Sequence, residues 1–195
     1  MTLLQNAFDA FDAYNAQDPN HDSEEGKEVA KELLYARRMT ARLNAFAPNA
    51  PEYLQLAARC QHIGRWEIAR SSYPMDRKGY LQWRNQLKIH HAGIARNILS
   101  TVGYSADIID QVEFLLLKKE LHHNLDTQLL EDVICLVFIE YYLEEFASKH
   151  EPEKVIDILR KTMKKMSTLA ITKTGEIPMT ASIKELIAQA ATITS

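Results

Sequence analysis

Cysteine, glycine and proline are all scarce: two, six and six of 195 residues. Six glycines and six prolines are too few for the many tight turns of an all-β sandwich or barrel. Cys60 and Cys135 each lie inside an apolar helical pattern, so two reduced core thiols are expected rather than a disulfide framework. A cytoplasmic location follows from that reading. No apolar run is long enough to cross a bilayer, and the start MTLLQNAFDAFDAYNAQ carries acids where a secretory leader needs basic residues. Neither a signal peptide nor a membrane partner is expected. Walker loop, GxGxxG, cysteine-rich zinc pattern, GxSxG and HExxH are all missing, and no cofactor is expected. There is no internal repeat and no low-complexity tract.

What the chain does have is helical periodicity almost throughout. Leu3, Leu4, Ala7, Phe8, Phe11 and Tyr14 recur at three- and four-residue spacing and stop at Asp18-Pro19-Asn20. His21 to Lys27 reads as a loop, and a second helix is expected from about Glu28 to Phe46. Pro51 opens a third, YLQLAARCQHI, and Gly64 to Pro74 reads as a loop. Asp76 is placed to cap a long helix through Thr101, stopped by Gly103. A helix from Ala106 to Lys118 follows. The segment 126–146, apolar nearly all round, is expected at the centre of the core. Helices from Glu151 to Met166 and from Thr180 to about Ala191 flank TKTGEIP, read as a loop or short extended piece. The expectation is an all-α chain of about six to eight helices in a single domain over 1–195. Within it, residues 28–146 would form the core and 151–195 the C-terminal helices.

Charge is distributed unevenly. Between Arg59 and Arg84 lie five arginines, both tryptophans and two tyrosines. With Lys78, and against Glu67 and Asp76, this stretch is +4, while the chain totals −3 and the remaining residues therefore −7. A basic island on an acidic background points to an anion, and arginine's planar fork suits phosphate or carboxylate. On the long helix, Arg77, Arg84 and His91 repeat every two turns along the edge of the apolar stripe. His91 is either a satisfied core histidine or a site residue. Asp132 shares a strip with Gln128, Cys135 and Ile139; a shielded carboxylate needs a partner, so it either pairs with one of these arginines or serves as a ligand or acid/base group. His62 closes its helix before Gly64 among Gln61, Arg65 and Trp66, where nearby positive charge keeps it neutral. His122-His123 reads as solvent-exposed. Arg160, Lys161, Lys164 and Lys165 read as a helix-end charge pattern or as a supporting rim for a polyanion.

LAARCQHIGRWEI, with His91 about 30 residues on and Asp132 on an apolar helix, resembles the LAALLHDIG helix end of the HD-domain phosphohydrolases, an all-helical metal-dependent superfamily. More closely, the chain resembles the domain-of-unknown-function family 4202, some members of which carry glutamyl-tRNA synthetase-related labels. The matching pieces are DPN (Asp18–Asn20), ELLYARRM (Glu32–Met39), QHIGRW (Gln61–Trp66), Tyr73-Pro74, GYLQWR (Gly79–Arg84), Gly103-Tyr104 and EDVICLVF (Glu131–Phe138). The resemblance implies a single HD-like bundle. It also implies loss of the usual metal centre, because Gln61-His62 replaces the His-Asp pair and Tyr35 stands where the first ligand histidine belongs. Only Asp132 fits a ligand position, and no nucleotide-binding signature of a synthetase is present.

The expected function is binding of a phosphorylated small molecule, nucleotide or RNA end. Arg38, Arg59, Arg65, Arg70, Arg77 and Arg84 would hold the anion, with Trp66, Tyr73 or Trp83 stacking on a base. His62 and His91 would donate hydrogen bonds, with Asp132 orienting one of them. Two rivals stay open: a phosphohydrolase with a metal held by His62, His91 and Asp132, and a structural or partner-binding protein whose arginines merely pair with acids. Oligomeric state is left open.

Overall fold

The computed structural model describes residues 2–192. Its packing divides the chain into two compact units, Met1–Lys119 and Glu120–Ser195.

The first unit opens with α1 (Leu3–Asn15), capped by the Thr2 hydroxyl, which accepts from the Gln5 amide at 3.2 Å. Its buried residues, Ala7, Phe11 and Asn15, are one turn apart each. The segment read as a loop is instead an antiparallel hairpin, β1 (His21–Glu24) and β2 (Lys27–Ala30), in register His21↔Ala30. Its two-residue turn puts Glu25 and Gly26 both at positive φ, the twist that suits a tight hairpin. Because β2 takes up Lys27–Ala30, α2 starts three residues later than the periodicity suggests and spans Lys31–Phe46.

After α3 (Glu52–Arg59) come two 3₁₀ turns, Arg65–Glu67 and Arg70–Ser72. The long helix α4 (Arg77–Val102) then begins at Asp76, whose carboxylate accepts from the Gly79 amide at 2.7 Å. It ends at Gly103, left-handed at φ 103°, where Tyr104 N reaches back to the Leu99 carbonyl. Helix α5 (Ala106–Leu116) packs on α4 and α3, and α1, α2 and α3 pack against one another. Phe11, Leu34, Met39, Leu43, Leu54, Leu56, Ile63, Leu99, Leu115 and Leu116 fill this interior, each essentially without exposure.

The second unit contains α6 (Leu125–Tyr141), capped by Asn124, then α7 (Leu143–Ser148) and α8 (Pro152–Met163). Helices α9 (Thr168–Thr174) and α10 (Ala181–Thr192) complete it. The continuous 126–146 helix of the sequence pattern is therefore two helices, broken at Tyr142, though α6 buries Leu130, Val133, Leu136, Val137 and Ile139 as its composition demands. TKTGEIP is not a loop throughout, since its first three residues close α9. Helix α8 stops at Met163 rather than Met166. Ten α-helices among the described residues exceed the six to eight expected, chiefly because the short α7 and α9 carry too few residues to show a period. Cys60 and Cys135 are both buried thiols.

Candidate functional site

Three pieces of the first unit bring chemistry together: the first turn of α2, the chain just after α3, and the middle of α4. The start of α2 is fixed by Asp18, which is 2% exposed. One of its oxygens accepts from the Asn20 backbone amide at 2.9 Å and the Asn20 side chain at 2.8 Å; the other accepts from the Glu32 amide at 3.1 Å. The Asp-Pro-Asn turn thus caps α2 from outside the helix and sets Glu32 and Tyr35 one turn apart on its buried face.

After α3, Gly64 takes a left-handed φ of 67°. A Cβ there would lie 2.5 Å from Ile94 Cδ1, so the bare Cα lets this turn close onto α4. A second close approach occurs at Gly79, where a Cβ would meet the Pro74 carbonyl oxygen at 2.1 Å. The two glycines hold the segment between them tightly against α4.

His91, 3% exposed, donates from Nδ1 to the Ile63 carbonyl at 2.6 Å. A carbonyl only accepts, so the proton sits on Nδ1 and Nε2 carries a lone pair. Burial, with the fields of Arg65, His90 and Arg84, lowers the pKa of His91 to about 3. The His62 ring stacks on Tyr35, centroids 4.1 Å apart and 13° from parallel, and lies 5.8 Å from the His91 ring. Arg65 Nη1 donates to His62 Nε2 at 3.3 Å, which places the His62 proton on Nδ1, 3.5 Å from Glu32 Oε2. Burial first, then Arg65, His91, Arg84 and Lys118, hold His62 well below the usual imidazole pKa. Both histidines are neutral at pH 7.

Arg65 Nε lies 3.7 Å from Glu32 Oε1, and its guanidinium carbon sits 4.9 Å from the Trp83 ring centroid. Burial and Arg84 pull its pKa below the ordinary value, and Glu32 opposes them. Trp83 is itself fixed by donating Nε1–H to the Ile68 carbonyl at 2.9 Å. Burial raises the Glu32 carboxyl to about 7; Arg65 and Lys31 lower it and Asp18 and Asp22 raise it. Glu32 Oε2 is buried and makes no hydrogen bond. Half-buried Arg84 acts electrostatically on His62, Arg65 and His91, and it has no hydrogen bond or ion pair among the described residues.

Five residues therefore meet, Glu32, Tyr35, His62, Arg65 and His91, and Arg84 acts on three of them, His62, Arg65 and His91, through its charge. The other candidates of the first unit stand elsewhere within it. Arg59 is engaged bidentately by Asp12 at 2.8 and 2.7 Å, and it also donates to Thr40 at 3.2 Å. Arg70 clamps its own loop by donating to the carbonyls of Tyr73, Pro74 and Asp76. Arg38 Nε is 3.6 Å from Glu24. Arg77 is exposed, Tyr73 is half-buried, and Trp66 packs against Tyr14 with centroids 5.9 Å apart. Gln61 is 4% exposed. Asp132, in the second unit, accepts from the Ser167 amide at 2.7 Å and Gln128 at 3.0 Å, holding the start of α9. Glu131 beside it lies 3.7 Å from Lys165 Nζ. His122 and His123 are exposed, as their polar turn suggests.

The residue sequence reasoning missed is Glu32. Its signal was available: Glu32, Tyr35 and Met39 fall at i, i+3 and i+7 of one helix, an acid on a face that is otherwise buried. Among the described residues, no three His, Cys, Asp or Glu side chains gather to hold a metal ion. No described helix is long and apolar enough to cross a membrane. No curated protein and no solved structure matches the chain. One family model, a domain of unknown function (DUF4202), matches residues 5–187, and the chain belongs to that family.

Proposed function

We propose that the first unit is an HD-like helical domain that binds a phosphorylated small molecule or nucleotide, an RNA end included, through Arg65 and Arg84, without the metal pair of HD enzymes. One observation carries this reading. Arg84 has no carboxylate partner among the described residues, and its charge acts on Arg65, whose ion-pair partner among the described residues, Glu32, has a carboxyl raised to about 7. Two guanidiniums beside two neutral histidines leave uncompensated positive charge, which an oxyanion neutralises. The histidine roles differ from those the sequence suggests. His91 spends its proton on Ile63, so it offers a bound ligand an acceptor rather than a donor. Arg59 and Arg70, bonded to Asp12 and to loop carbonyls, serve architecture.

The test is a thermal-shift and calorimetric panel of inorganic phosphate, nucleoside monophosphates, sugar phosphates and 5′-phosphorylated oligoribonucleotides. A ligand at about 100 times its Kd adds about 2.7 kcal/mol to the folded state and raises the Tm accordingly. No shift with any member of the panel would reject the proposal.

A further inference from the structure

Resting on that anion-site reading, we propose that Glu32 requires one proton to lie between itself and the bound anion, which makes the site selective for inorganic phosphate over sulfate. The argument is an inventory of donors and acceptors. Arg65 and Arg84 only donate. Beside Arg65 stands Glu32, whose Oε2 is buried and makes no hydrogen bond, the nearest donor, His62 Nδ1, lying 3.5 Å away. The Glu32 side chain is 8% exposed, so water does little to shield it.

An oxyanion that reaches Arg65 also comes close to this carboxylate, and two acceptors repel unless a proton joins them. Phosphate between pH 6 and 8.5 always keeps at least one P–OH and brings that proton itself. Sulfate has none, so Glu32 must take one from solvent before sulfate binds. The carboxyl's raised pKa, about 7, makes that step easy in acid and hard in base. The groups that surround this equilibrium are Lys31 and Tyr35 on α2, Asp18 and Asp22 from the preceding turn and hairpin, and His62 and Arg65 after α3. Arg84, His91 and Lys118 act on His62 in turn. The two histidines titrate below this range, so Glu32 is the member of the cluster that changes charge within it.

The experiment is calorimetric titration of sodium phosphate and sodium sulfate into wild type, Glu32→Gln and Arg84→Ala at pH 6.0 and pH 8.5. For wild type, the phosphate-to-sulfate affinity ratio should be within about threefold at pH 6.0 and at least about tenfold at pH 8.5, the scale of one charge-assisted hydrogen bond. Glu32→Gln, whose amide donates to either anion, should show a ratio within about threefold at both pH values. A wild-type ratio that does not change with pH, with both anions weakened by Arg84→Ala, overturns the role of Glu32 and leaves the anion site standing. So does a Glu32→Gln variant that keeps the pH-dependent ratio. Binding of neither anion, or binding indifferent to Arg84→Ala, overturns both.

Discussion

Replacing Arg84 with alanine separates a ligand-binding guanidinium from an architectural one. Arg84 sits half-buried on α4, and its charge disfavours protonation of His62 and His91 and lowers the pKa of Arg65. With no carboxylate bonded to it among the described residues, its removal strands no buried acid. The empty protein should therefore keep its stability to within about 0.5 kcal/mol, or gain slightly as repulsion with Arg65 is relieved. Ligand binding should suffer instead. One charge-assisted hydrogen bond is worth about 1.5–3 kcal/mol, a loss of about 10- to 150-fold in affinity. Arg84→Lys should recover only part of this, because an ammonium cannot reproduce the two-pronged contact. Differential scanning fluorimetry with and without phosphate or a nucleoside monophosphate reads both quantities at once. A Tm lowered by more than about 5 °C in the empty Arg84→Ala protein would mean that this arginine holds the fold together, and would refute the reasoning.

Arg59→Ala should behave in the opposite way: loss of the paired bonds to Asp12 destabilises the protein by about 1–3 kcal/mol, seen as a lower denaturant midpoint, and leaves the affinity of the folded protein for phosphate unchanged. Glu32 gives a pH signature. Its folded pKa, raised from 4.5 to about 7, makes the ionised form costly, so stability is fully present below pH 4.5 and falls as pH rises to about 7. Relative to wild type, Glu32→Gln should be more stable by roughly 3 kcal/mol above pH 7, the difference vanishing near pH 4; equal urea midpoints at all pH values would contradict this. For His91, nitrogen-detected NMR should report a neutral ring protonated on Nδ1 down to pH 5, and an imidazolium at pH 5 would exclude the bond to Ile63. Gly79→Ala forces a methyl against the Pro74 carbonyl, so it should destabilise by about 1–3 kcal/mol in a thermal melt.

The helices were legible wherever the period had room to repeat. Asp76 and Gly103 bound α4 within a residue of the places their capping chemistry indicates. The hairpin was not legible, because four-residue strands of HDSE and KEVA carry no clean alternation, and only the Glu25-Gly26 turn betrays them. Of the residues in the proposed site, His62, Arg65, Arg84 and His91 are singled out by charge and helical spacing. Separating Arg59 and Arg70 from Arg65 and Arg84 required knowing which acids and carbonyls lie nearby, and that depends on how α1 and the 65–76 loop pack. Glu32 is not singled out by the sequence because a charged residue near a helix start ordinarily faces water. Here the distant cap from Asp18 turns it inward.

The most direct test of the central claim is a crystal structure of the wild-type protein grown or soaked with inorganic phosphate near pH 7. The account predicts a tetrahedral density within hydrogen-bond distance of both Arg65 and Arg84, with one phosphate oxygen within hydrogen-bond distance of the Glu32 carboxyl. A saturating soak that leaves this place empty while phosphate binds at Arg59, Arg70 or the basic end of α8 would contradict it.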